Sequence, residues 1–204
     1  MAETNANNRL EALSDGVFAI AMTLLVIEVR PPATHTIVTT ADFWNALAHA
    51  MPAIGAFILS FIIIFITWGN HHGATKLIPR TSASFIFANG LLLLTVAFIP
   101  FPTALLGEFV VTDHAAPAVV LYNVVLAFQA VAWILFSRTA LVNHLTKDED
   151  AARTLGRMGR NGYFAFALYS LLALAAVWLP LPVAVLTTAT WMVWLVMAFR
   201  AKHA

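Results

Sequence analysis

Long apolar stretches alternate with short polar ones along the whole chain. Six segments carry enough consecutive apolar residues, about 20 each, to cross a hydrocarbon core as helices. They fall near residues 10–30, 43–69, 83–106, 117–142, 161–179 and 182–199. None shows the two-residue alternation of a membrane β-barrel strand. The pattern predicts an all-α polytopic membrane protein, with residues 1–204 as a single six-helix domain.

The connections differ in character. PPATHTIVTTAD (31–42) carries two prolines and a polar tract, and HHGATKLIPRTS (71–82) is short and basic. GEFVVTDHAAP (107–117) is acidic, 138–160 is long and charged with helical stretches, and LPLP (179–182) is a tight turn. With six crossings, the N-terminus, 71–82, 138–160 and the C-terminus share one side. That side collects Arg9, Lys76, Arg80, Arg138, Lys147, Arg153, Arg157, Arg160, Arg200 and Lys202, against Arg30 on the other. Lys and Arg accumulate on the cytoplasmic side, so both termini are expected there. Pro100 and Pro102 interrupt the third segment without a counterpart in the sixth, unlike the paired broken helices of inverted-repeat transporters.

Composition strengthens this reading. Hydrophobic residues are 61% of the chain, charged residues 10%, and mean hydropathy is +0.83. A soluble domain of this length could not bury so much apolar surface. No cysteine is present, which removes disulfides and thiolate metal sites. MAETNANN lacks the basic start of a signal peptide, so the first apolar segment is expected in the mature protein. The net charge of +1 gives no sign of a nucleic-acid partner. No nucleophile motif, P-loop or dinucleotide-binding glycine pattern occurs, so an enzyme is not expected.

The first helix carries the informative chemistry, because Ser14 and Asp15 sit inside its apolar run. On a helical wheel Leu13, Gly16, Ile20, Thr23, Leu24 and Ile27 form one stripe, and Asp15 lies on the side away from Ile20. A carboxylate facing lipid costs about 2.5–3.5 kcal/mol at mid-span and less near an end, so Asp15 needs partners. Trp68, Asn70, His71 and His72 close the second segment at matching depth. Ser82, Ser84 and Asn89 open the third, and Arg9 stands at the entrance of the first. These donors are expected to hold helix 1 against helices 2 and 3, leaving the aliphatic stripe to face elsewhere. On pattern alone such a stripe reads as packing or lipid contact. His71 and His72 are adjacent and so point about 100° apart on a helix. That is poor chelating geometry, and a hydrogen-bonded pair is expected instead of a metal site.

The segment Arg9-Leu10-Glu11-Ala12-Leu13-Ser14-Asp15-Gly16 resembles the R-x-x-x-F-S-D signature of the lysosomal potassium channel family and its bacterial homologues. WGNHH at the end of segment 2, and Asn89 to Thr103 with its leucine run and PFPT, are similar to the family too. Leu13 stands where the motif has Phe, an apolar exchange that leaves Ser14 and Asp15 in place. The resemblance implies six helices per repeat and a pore lined by the first helix of each repeat. It also implies no TVGYG filter, which this sequence lacks as well. A single repeat implies a homotetramer of the bacterial type in the inner membrane, in contact with lipid. The family narrows at an aliphatic residue five positions after the motif Asp, here Ile20. Thr23 would then offer hydroxyls to a partly dehydrated cation, and Leu24 and Ile27 would extend the constriction. Arg9, Ser14, Asp15, Trp68, His71, His72 and Asn89 would form the structural network. No cofactor is expected. The permeant ion would be K+, with Na+ or other monovalent cations less well rejected than by a carbonyl filter. Two other classes remain open: an ion- or proton-coupled transporter using Asp15, His71 and His72, and a non-conducting scaffold.

Overall fold

The computed structural model describes the backbone of residues 6–200, and the side chains of these except at 6, 36, 192, 193 and 195–200. Among the described residues seven α-helices follow in order: α1 (Ala6–Leu24), α2 (Thr40–Thr75), α3 (Ala83–Phe98), α4 (Pro100–Phe109), α5 (Ala115–Val142), α6 (Glu149–Ala175) and α7 (Pro180–Arg200). Short 3₁₀ turns at Leu25–Glu28 and Thr34–Thr36 join α1 to α2. No strand occurs among the described residues.

Local chemistry sets the boundaries. Thr39 caps α2: its hydroxyl accepts from Asp42 N at 3.2 Å, and Asp42 Oδ2 accepts in return from Thr39 N at 2.8 Å. This capping box satisfies donors that the first helical turn leaves without partners. Ser82 caps α3 and Asp148 caps α6 through bonds from Phe85 N and Ala151 N. Pro100 has no N–H and its ring excludes the preceding turn, so α3 and α4 part at Ile99. At the end of α5, His144 turns left-handed with φ 51. Leu145 N then reaches Ala140 O at 3.0 Å and His144 N reaches Leu141 O at 3.1 Å, closing the helix in a Schellman arrangement.

Four stretches among the described residues are long and apolar enough to span a membrane: 7–28, 40–75, 83–109 and 115–142. The kinked α3–α4 pair makes one of them. The expected spans at 161–179 and 182–199 fall on α6 and α7, which do not reach that apolar length among the described residues. The reason for α6 is plain. The helix starts at Glu149, so its first turns carry Asp150, Arg153, Arg157 and Arg160, and the link after α5 shrinks to residues 143–148.

Two bonds bring three segments together. Asn7 Nδ2 donates to Ile78 O, and Lys147 N donates to Leu77 O at 3.1 Å. The start of α1, the α2–α3 link and the α5–α6 link therefore share one end of the bundle. A core cluster fills that end, built on Phe85, Leu92, Phe136, Ala140 and Leu155. A larger one runs through the rest, built on Phe18, Leu25, Ile63, Val96, Ile99 and Tyr122. A Cβ on Gly107 would stand 2.8 Å from Ala53 Cα, so α4 lies against α2 with room only for hydrogen. Gly107→Ala should cost about 1–3 kcal/mol through overpacking. The measurement is a lower thermal midpoint in detergent, with Gly55→Ala, where a Cβ meets open space, unchanged or raised.

Candidate functional site

Helix α1 has two unlike faces. Asn7, Leu10, Ser14, Phe18, Ala21 and Leu25 are buried at helical spacing against α2 and α3. Ile20 is 60% exposed and Ile27 66%, whereas Phe18 and Leu25 are fully covered. Leu13, Gly16, Thr23 and Leu24 share the open face. The last turn, Leu25–Glu28, tightens to 3₁₀, in which residues three apart stack in a row. Leu24 and Ile27 are three apart across its start. Thr23 Oγ1 donates to Ile20 O at 2.9 Å, so its hydrogen is engaged and the oxygen retains lone pairs on the open face.

The polar residues of the buried face form a directed chain. Asn89 Nδ2 donates to Ser14 Oγ at 3.1 Å, and Ser14 Oγ donates to Leu10 O at 2.8 Å. Asn89 Oδ1 must then accept, and it does so from His71 Nε2 at 2.7 Å. His71 is fully buried, with Phe18 and Phe136 rings at 5.5 and 5.4 Å. Its Nε2 holds the hydrogen, while Nδ1 has no partner. The neutral ring is the form this pocket accommodates, because a second N–H would stand unpaired among apolar neighbours.

A second set runs beside it. Trp68 Nε1 donates to Asp15 Oδ1 at 2.8 Å, and Trp68 stacks on His72 with centroids 5.7 Å apart. Thr75 Oγ1 lies 3.3 Å from Glu11 Oε1. His72 Nδ1 is 3.2 Å from the same oxygen but without hydrogen-bond alignment, so it acts on Glu11 by charge when protonated. The structure thus brings Ser14, Asp15, Trp68, His71, His72 and Asn89 together at one junction. Arg9 stands outside it, exposed and without a bond or ion pair to any described residue. Glu11 and Asn7 belong to the junction and were not singled out from sequence. Their signal was spacing: Glu11 is one turn before Asp15, and Asn7 continues the Leu10–Ser14–Phe18 face. No group of three or more His, Cys, Asp or Glu among the described residues could hold a metal.

Asn89 joins three elements through two bonds, so its loss leaves His71 Nε2 unpaired and takes a donor from Ser14 Oγ, which keeps its bond to Leu10 O. Asn89→Ala should destabilise the protein by about 1–3 kcal/mol. Denaturation in mild detergent checks this, and Asn143→Ala, at an exposed amide, should leave the midpoint in place.

The sequence profile of the endosomal/lysosomal potassium channel TMEM175 matches residues 9–100, which include the junction from Glu11 to Asn89. A protein of Chamaesiphon minutus named as a potassium channel is 38% identical over 181 residues, 87% of this chain and 89% of its own. A protein of Streptomyces collinus with a potassium-channel name is 39% identical over 155 residues, 73% of each chain. The fold is similar to the crystal structure of a lysosomal potassium-selective channel TMEM175 homologue from Chamaesiphon minutus. The TM-score is 0.78 at 33% identity, over 92% of this chain and 96% of that one. A helix bundle of matching course and a relative 38% identical over most of both chains place this chain in the TMEM175 family.

Proposed function

We propose that this chain is a potassium-permeable cation channel of a bacterial inner membrane, assembled as a homotetramer around the open face of α1. The carrying observation is that face: an aliphatic row with one hydroxyl, exposed along a helix whose opposite side is fully packed. Closed rotational symmetry turns one exposed helix per subunit into an enclosed path. On this reading α6 and α7 complete six crossings, both termini are cytoplasmic and the basic end of the bundle faces the cytoplasm.

Ile20 forms the gate. A β-branched side chain has few rotamers, so a ring of four is stiff and dry, and a cation sheds much of its hydration to pass. Thr23, about 4.5 Å further along the axis, presents oxygen lone pairs to that ion. Leu24 and Ile27 continue the apolar lining. Selectivity for K+ over Na+ is modest because no carbonyl cage surrounds the ion. Asp15 acts from behind: its bond to Trp68 holds α1 in rotation without bringing charge to the path. The ring of His71 is committed to Asn89, which disfavours a proton relay through Asp15, His71 and His72.

Potassium flux from proteoliposomes tests the assignment, since a channel passes K+ without a coupled ion gradient. Ile20→Asn should raise flux about tenfold, a barrier lower by about 1.4 kcal/mol. A correctly assembled Ile20→Asn protein that conducts no better than its parent would remove Ile20 as the barrier. Thr23→Ala should keep conduction and bring K+ and Na+ permeabilities closer together. Reversal potentials under bi-ionic conditions measure it, and unchanged values would exclude Thr23 from selectivity.

A further inference from the structure

Away from α1, the outer face of α6 changes character along one line. At 100° per residue, Arg153, Arg157, Arg160, Phe164 and Leu171 fall within about 60° of one another, and all five are exposed. Three arginines thus lead into large apolar side chains, with Phe164 64% exposed and Leu171 65%. Apolar side chains so placed belong in hydrocarbon and the guanidinium groups beyond them in the headgroup layer. The boundary between the two falls near Arg160. Helix α5 agrees on that depth. A Cβ on Gly159 would stand 3.1 Å from Ser137 Cβ, which sets Arg160 within about one turn of Arg138, the only charged residue of α5 and an exposed one.

The three arginines of α6 are not alike. Arg153 is compensated within its own helix, with Nη2 3.2 Å from Glu149 Oε2 and Nη1 3.2 Å from Asp150 Oδ1. Arg157 meets only a hydroxyl: its Nη2 donates to Thr154 Oγ1 at 3.3 Å. Arg160 has no bond or ion pair to any described residue. Two uncompensated positive charges therefore stand three residues apart, where helical side chains are neighbours. Guanidinium forks bind phosphate oxygens in pairs.

We propose that Arg157 and Arg160 hold the phosphate of an anionic phospholipid whose acyl chain lies along Phe164 and Leu171. Charge complementarity selects this occupant. A zwitterionic headgroup brings its own cation to the same place and leaves the two arginines uncompensated. A soluble acidic partner would meet the arginines but not the apolar residues that continue their line. A second copy of the same face would set one arginine row against another, and like charges across an interface are costly. The site rests on α6 crossing the membrane, part of the function proposed above, and is independent of ion conduction.

Native mass spectrometry of the full chain in a neutral detergent tests the proposal, with equal amounts of dioleoyl phosphatidylglycerol and dioleoyl phosphatidylcholine added. Phosphatidylglycerol should bind about tenfold more tightly than phosphatidylcholine. Arg157→Gln combined with Arg160→Gln should erase that preference, and Arg160→Gln alone should lower it about threefold if the pair does not assemble. Lys147→Gln removes a cation from the same end of the bundle but off this line, and should leave the preference within about twofold of the parent. Glycerophosphoglycerol, the same headgroup without acyl chains, should not displace the lipid at ten times its concentration. Displacement there would assign the arginines to a free phosphate compound and overturn the lipid assignment. Fewer chains per assembly in the double variant, with the lipid preference kept, would assign the face to a second copy and overturn it too. So would equal binding of the two lipids by the parent.

Discussion

A polar side chain inside hydrocarbon must find its hydrogen bonds within the protein, because lipid offers none. That requirement organises the bundle. Ser14 and Asp15 lie in an apolar helix, and their partners, Asn89 and Trp68, lie on α3 and α2. Once those bonds form, the rotation of α1 is set. Phe18, Ala21 and Leu25 turn inward as a consequence, and Ile20, Thr23 and Ile27 turn out. The aliphatic row is open because the polar row is satisfied.

The far end of the bundle uses the same device with hydroxyls. Thr103 Oγ1 lies 2.7 Å from Ser60 Oγ, which lies 2.9 Å from Tyr122 OH, tying α4, α2 and α5. Thr187 Oγ1 donates to Asn123 Oδ1 at 3.0 Å, tying α7 to α5. Small residues act between these ties. A Cβ on Gly162 would stand 2.9 Å from Ile134 Cγ1 and one on Gly159 3.1 Å from Ser137 Cβ, so both glycines let α6 lie close against α5. Hydrogen bonds set register and glycines set spacing, so apolar packing does not have to specify either one.

Most of this was legible in the chain where one residue type has one physical reason to be present. The proline break at Pro100 and the long apolar helices could be read from composition and geometry. The start of α6 was legible only as helical stretches within 138–160, because Glu149 to Arg160 is too charged to count toward a crossing and so was not joined to the apolar run that follows. Asn7 was missed for a related reason. It lies in a polar stretch where any partner seemed to be water, yet it is buried against the α2–α3 link. Arg9 shows the reverse case: a residue conspicuous in the motif that meets no described partner. Motifs show which residues matter together, whereas burial by a distant loop leaves a weaker trace, here only the place of Asn7 on the Leu10–Ser14–Phe18 face.

The distance along the chain between Ser14 and Asn89 also matters during synthesis. Asn89 follows 75 residues later, and Trp68 follows Asp15 by 53. At 5–20 residues per second, roughly 4–15 s separate the emergence of Ser14 from that of its partner. For that interval the Ser14 hydroxyl has only its own-helix bond to Leu10 O, and for roughly 3–11 s of it the Asp15 carboxylate lacks Trp68, so α1 is a poor candidate for release into bulk lipid. Its docking is therefore an event of the three-helix stage, not the first step of insertion.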